Sequence, residues 1–217
     1  MYYNLINPVI EPIIEIPLYD LCLCILFTKK ARWFQLHCFI NIMIVQEIYK
    51  DIFNLLLDPL DIKVLEHHKE LYYILYLHLY HMIFFKNTTT DYFHHIVFVL
   101  FGTFPIYHFY NVNLIRLATF TGCGLPGVIE YFTLSLVKHE KIKSLTQKTI
   151  MVYVYNYFRY PVSVFAASLI YYNHAIGLTN YISNFCVLYT IFLIIFNSAY
   201  FNKLTIENRT WHKLSIR

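Results

Sequence analysis

The sequence predicts an all-α, multi-pass transmembrane helical bundle of about seven spans. Three observations predict it: a surplus of apolar residues, their arrangement in long runs divided by charged clusters, and a basic bias that alternates from loop to loop. Of 217 residues, 58% are apolar, 19% aromatic and 14% charged, whereas a soluble domain carries about 25% charged residues. So few charges leave a water-facing surface uncovered, which excludes an ordinary soluble globule.

The runs fall at Ile13 to Phe27, Trp33 to Leu57, Leu71 to Phe85, Phe93 to Tyr110, Leu114 to Val137, Thr149 to Tyr172 and Leu178 to Phe201. None shows the two-residue alternation of a barrel strand. Crossing the hydrocarbon takes about 20 helical residues, so the third run must borrow its flanks. The first is interrupted by Glu15, Pro17 and Asp20, and an acid at mid-bilayer costs about 2.5 to 3.5 kcal/mol. If that segment lies in the interface, six spans remain. In span five, Gly122, Gly124, Pro126 and Gly127 predict close helix contact and a broken helix beside a cavity.

Lys and Arg concentrate on the cytoplasmic side of short loops. Lys29, Lys30 and Arg32 follow run one, Lys86 follows run three, Lys138, Lys141, Lys143 and Lys148 follow run five, and Lys203, Arg209, Lys213 and Arg217 follow run seven. The other side has only Lys63 and Lys69. An odd number of spans follows, with the N-terminus lumenal or outside and the C-terminus cytosolic. The division expected is 1–31 for an N-terminal tail and first span, 32–201 for the membrane domain and 202–217 for a cytoplasmic tail. No cleavable signal peptide is expected, because a basic n-region is missing. The sequons at Asn87 and Asn208 fall on the cytoplasmic side and are read as chance matches.

The net charge of +4 reflects these loops and anionic headgroups rather than nucleic acid. Cys22, Cys24, Cys38, Cys123 and Cys186 lie within runs and lack a C-x-x-C spacing, so neither a disulfide framework nor a zinc ribbon is expected. His78 and His81 lack a third ligand, and no metal or other cofactor is predicted.

Ionisable residues inside spans face the bundle interior or a wet cavity. His37, His94, His95, Glu130 and Arg159 sit roughly 5 to 15 Å from the cytoplasmic ends of four helices, and His81 adds a fifth. With Asn41, four residues after His37, they predict a polar chamber in the cytoplasmic half. His94 and His95 point about 100° apart on a helix, so at most one faces its centre. Glu130 and Arg159 are expected either to pair as ions between spans five and six or to face a ligand. His67 and His68 read as solvated loop residues.

Arg32, Trp33, Phe34, His37 and Asn41, then Asp58-Pro59, then Asp91, Phe93, His94 and His95, resemble the first half of the TLC domain, the homology region shared by translocon-associated, longevity-assurance and ceroid-lipofuscinosis membrane proteins. Gly124 to Gly127, Glu130, Tyr131, Leu145 to Lys148 and Arg159-Tyr160-Pro161 resemble its second half, so the resemblance covers roughly 32–201. It implies an endoplasmic reticulum or other endomembrane protein that binds, senses or regulates membrane lipid. The ceramide synthase branch continues from a histidine pair to paired aspartates, and no Asp follows His95 in this chain. The resemblance therefore points outside that branch, to a non-enzymatic lipid role. The alternative is an acyl-CoA-dependent acyltransferase with His94 or His95 as general base.

Overall fold

The computed structural model describes the backbone of residues 3–215 and the side chains of residues 8–215. It is all-helical, with seven helices: α1 (Tyr3–Phe27), α2 (Arg32–Leu57), α3 (Lys69–Phe84), α4 (89–109), α5 (Leu114–Lys138), α6 (144–175) and α7 (Asn184–Ser215). Two of them, α5 and α7, are long and apolar enough by composition to cross a membrane. The others fall short in length or apolar content; α3 has 16 residues, about 24 Å.

The central packing stripe is written into α2. Leu36, Ile40, Ile44, Ile48 and Ile52 recur every fourth residue and are all buried, which places them on one helix face. His37 and Asn41 flank that stripe and are also buried. From α2 the contacts run to α3, from α3 to α4, then to α7, α6, α5 and back to α2. Six helices thus close a ring, while α1 packs outside it against α2 and α3. Large apolar side chains such as Ile25, Leu26, Tyr157 and Phe185 cover the outer surface.

Three of the ring helices carry a widened turn, and each widened turn ends just before a proline. Phe104 N–H bonds to Val99 O ahead of Pro105, Leu125 N–H to Phe120 O ahead of Pro126, and Tyr160 N–H to Tyr155 O ahead of Pro161. Proline has no N–H and its ring crowds the carbonyl one turn back, so slipping to the i→i+5 pattern removes the clash without ending the helix. Tyr189 Oη donates to Phe101 O, the carbonyl that Pro105 leaves without its helical donor. α5 is therefore widened at residues 120–124, not broken as its glycines and proline suggested.

Three boundaries differ from the sequence reading by more than a few residues. α1 begins at Tyr3 rather than Ile13. The seventh helix begins at Asn184 rather than Leu178, because Gly177 adopts φ +88° and His174 reaches across the turn, Nδ1 to Thr179 O at 3.1 Å and Nε2 to Asn184 Oδ1 at 2.7 Å. That helix then continues to Ser215, so residues expected as a tail are helical. Asn202 Nδ2 donates to Asn156 Oδ1 (3.1 Å) and Arg209 Nε to Thr149 Oγ1 (3.2 Å), fastening the extension to α6. Arg217, counted among the cytoplasmic cations, lies outside the described residues.

Candidate functional site

The charges that interrupt the apolar runs fall into two kinds, those that are paired and those that are not. Asp20, buried in α1, accepts from Arg32 Nε at 2.8 and 3.0 Å and from Tyr80 Oη at 2.7 Å. Glu15 accepts from Tyr73, and Lys69 Nζ meets Glu11 at 2.7 Å. The three acids of α1 are thereby satisfied by α2 and α3, which explains how a helix so often interrupted is held. At the end of the bundle where Lys69 lies, Arg116 donates to both oxygens of the buried Glu70 (2.8 and 3.2 Å), to Asp51 and to His67 O (2.8 Å). This forked arrangement is the one in which guanidinium and carboxylate bind most strongly. Arg116, Asp51 and Glu70 are not among the site residues that the sequence singles out. The detectable signal was an Arg three residues into an apolar run.

About 21 Å further along α5, the second kind begins. A cavity of about 140 Å³ inside the ring is lined by His37, Asn41, His94, Glu130 and Arg159, all singled out from sequence, together with Asp91, His78, Tyr131 and Tyr155. All six ring helices reach it. The widened turns supply His94, Cys123, Tyr155 and Arg159 to its wall; such turns are frequent at functional sites.

Glu130 and Arg159 share the cavity but form no ion pair within 4.0 Å. Tyr155 keeps them apart: its Oη donates to Glu130 Oε2 at 2.7 Å, and the Arg159 guanidinium lies 4.6 Å from its ring centroid. The direct pair expected as one of two outcomes is absent. Arg159 is only 5% exposed; Nη2 bonds to Asn197 Oδ1 at 3.1 Å, and Nε has no partner. A buried cation with no carboxylate and an unmet donor is costly.

The histidines are ordered as a chain. His78 Nδ1 lies 2.6 Å from Ile74 O, an acceptor only, so it carries the proton and leaves Nε2 bare when the ring is neutral. His94 Nε2, 3.2 Å from that atom, is then the donor, and His94 Nδ1 is a buried lone pair with no partner. His37 Nδ1 is likewise unpartnered, its ring stacked on Tyr131 at 3.8 Å. His95 and His81 do not line the cavity. They pair with each other at 3.1 Å behind it, and Trp33 stacks on His81 at 3.7 Å. The placement of His81 in the chamber is thus corrected: the face of α3 that meets the cavity carries His78. Among the described residues no three His, Cys, Asp or Glu side chains converge on a metal position, and the cysteines are free.

At Gly127 α5 has no room for a side chain against α2, since a Cβ there would lie 2.4 Å from Asn41 Nδ2. Gly122 faces open space. It lines, with Cys123 and Arg159, both the polar cavity and a second one of about 70 Å³ among α3 to α7, whose wall mixes Phe98, Ile106 and Leu193 with Thr121, Ser163 and Asn197. The chamber thus offers fixed hydrogen-bonding groups of both polarities with a second, mixed cavity beside it. No known family model, curated protein or solved structure matches this chain.

Proposed function

We propose that the chain is a multi-pass, TLC-like membrane protein whose chamber holds the polar part of a membrane lipid, in a binding, sensing or lipid-homeostasis role. The observation that carries this reading is the cavity ringed by buried groups lacking partners, Arg159 Nε, His37 Nδ1 and His94 Nδ1. Polar groups left unmatched beside a cavity cost stability unless something fills it. Ionisable residues in a membrane bundle commonly mark ligand sites. In the proposed topology all seven helices cross an endomembrane, the N-terminus is lumenal and the chamber opens toward the cytosol. The apolar outer surface and the two helices that qualify as spans support it.

The test is lipid analysis of the purified protein with the variant Arg159→Met beside it. Wild type retains a stoichiometric lipid through purification and the variant loses it; an empty wild-type protein overturns the reading. Protease protection of terminal tags in sealed microsomes tests the topology, and both termini on one side refute seven crossings.

One feature favours a second reading, acyl transfer from acyl-CoA. His94 lines the cavity with its Nδ1 unpartnered while His78 braces its other nitrogen, as a general base requires. Release of free CoA dependent on His94, measured with acyl-CoA and long-chain bases, would establish it.

A further inference from the structure

Of the chamber's two carboxylates, Asp91 is engaged by the Thr88 cap, while Glu130 and the one cation, Arg159, do not touch, and this sets the charge pattern of what fits between them. Resting on the lipid-binding reading, we infer that the chamber recognises a zwitterionic head bearing a primary ammonium and a phosphodiester, the chemistry of phosphoethanolamine. The phosphodiester meets Arg159, whose Nε lacks a partner; guanidinium binds phosphate oxygens through a donor fork. The ammonium meets Glu130, whose carboxylate receives a single neutral hydrogen bond, from Tyr155.

Other head groups fit less well, for reasons visible in the same geometry. A quaternary ammonium needs free aromatic faces. Here the face of Tyr131 is stacked by His37, and the rings of Tyr155 and Phe201 are engaged by Arg159. A primary ammonium instead needs acceptors, and Glu130 is joined by the unpartnered Nδ1 lone pair of His94. A glycerol or inositol head carries no cation, so Glu130 stays uncompensated. A serine head brings a third carboxylate into a cavity that already contains Asp91 and Glu130 and whose lining has no Lys or Arg besides Arg159.

Native mass spectrometry of the full chain in detergent tests this, using lipids with identical acyl chains that differ only in the head. The series runs from phosphatidylethanolamine through its mono-, di- and trimethylated forms, with phosphatidylglycerol and phosphatidylserine alongside. The expected result is a stepwise fall in adduct with each methyl, reaching about tenfold at choline, the value of one unmet charge-assisted interaction of about 1.4 kcal/mol. Glu130→Gln should flatten the series while leaving adducts in place, and Arg159→Met should weaken every phospholipid equally. The methylation series uses unmodified protein and needs no variant to fold. Adducts of equal strength across the heads overturn the inference and leave the lipid reading standing; no adducts at all overturn both. Soluble glycerophosphoethanolamine distinguishes the source: weak binding supports a lipid, whereas binding as tight as the lipid refutes a lipid ligand.

Discussion

Arg116, half-buried, and Arg159, buried, both lie in the ring, and they are treated in opposite ways. Arg116 is engaged on three nitrogens by two carboxylates and a carbonyl. Arg159 has one amide oxygen, two aromatic faces and a donor left over, with Glu130 across the cavity and out of reach. A charge placed only for architecture is closed off by its neighbours. A charge left open beside a cavity costs stability without structural return, which is the pattern expected where a fold has been shaped for binding.

The largest expected effect breaks the closed site. Arg116→Met strands Glu70, whose side chain is 1% exposed, and should cost about 3 to 5 kcal/mol, the penalty for removing one partner of a buried pair. Thermal unfolding in detergent, followed by circular dichroism, measures it. A loss under 1 kcal/mol would mean that the two arginines are not different after all.

Two glycines of α5 sharpen the contrast at the next scale down. Gly127→Ala drives a methyl into Asn41 at the α2–α5 contact and should destabilise by about 1 to 3 kcal/mol through overpacking. Gly122→Ala meets open space and should stabilise by about 0.5 to 1 kcal/mol, because glycine weakens a helix interior. Gly122 lines both cavities, so its methyl takes up cavity space, and on the lipid-binding reading retained lipid should fall even as the melting temperature rises. Opposite signs from one substitution five residues apart would locate the packed and open faces of the helix; equal signs would contradict the cavity.

Much of the helix layout was legible because the apolar runs mark where helices lie, and six of the seven begin or end within a few residues of those runs. The ring itself was not legible, since helix adjacency depends on which faces match across sequence distances that periodicity does not span. For the chamber, placing charges by depth along each helix was enough to bring His37, His94, Glu130 and Arg159 to one cavity. Depth has no angular information, which is why His81 was exchanged for His78 and why Tyr155 was not foreseen between Glu130 and Arg159. Tyrosine is common in this chain, 21 residues, so one functional tyrosine carries no signal above that background.

The interposed Tyr155 also sets the next expected effect. Because Glu130 and Arg159 do not touch, Glu130→Gln and Arg159→Met should be additive in stability to within about 0.5 kcal/mol in the empty protein. In the lipid-loaded protein they should couple by more than that, since a ligand touching both links them. Coupling in the empty protein would restore the direct pair that the geometry lacks.

The smallest effect concerns a histidine on the closed side. His68 precedes α3, lies half-buried with its ring 5.4 Å from that of Tyr107, and has an unpartnered Nδ1. It was expected to be a solvated loop residue. Burial, and then the neighbouring Arg116 charge, hold its pKa below the usual 6.5, because both disfavour the imidazolium. Below about pH 6.5 the unfolded chain therefore binds a proton that the folded chain resists, and stability falls as the pH drops through that range. Above it, the histidine is neutral in both states and contributes no pH dependence. His68→Gln should remove this component, so the difference in unfolding free energy between wild type and variant should change in the variant's favour between pH 7 and pH 5. Subtracting the two curves cancels the chamber histidines, which titrate in both proteins. A difference that stays constant with pH would mean that His68 is exposed to water in both states, and that Arg116 is not as tightly enclosed as its partners imply.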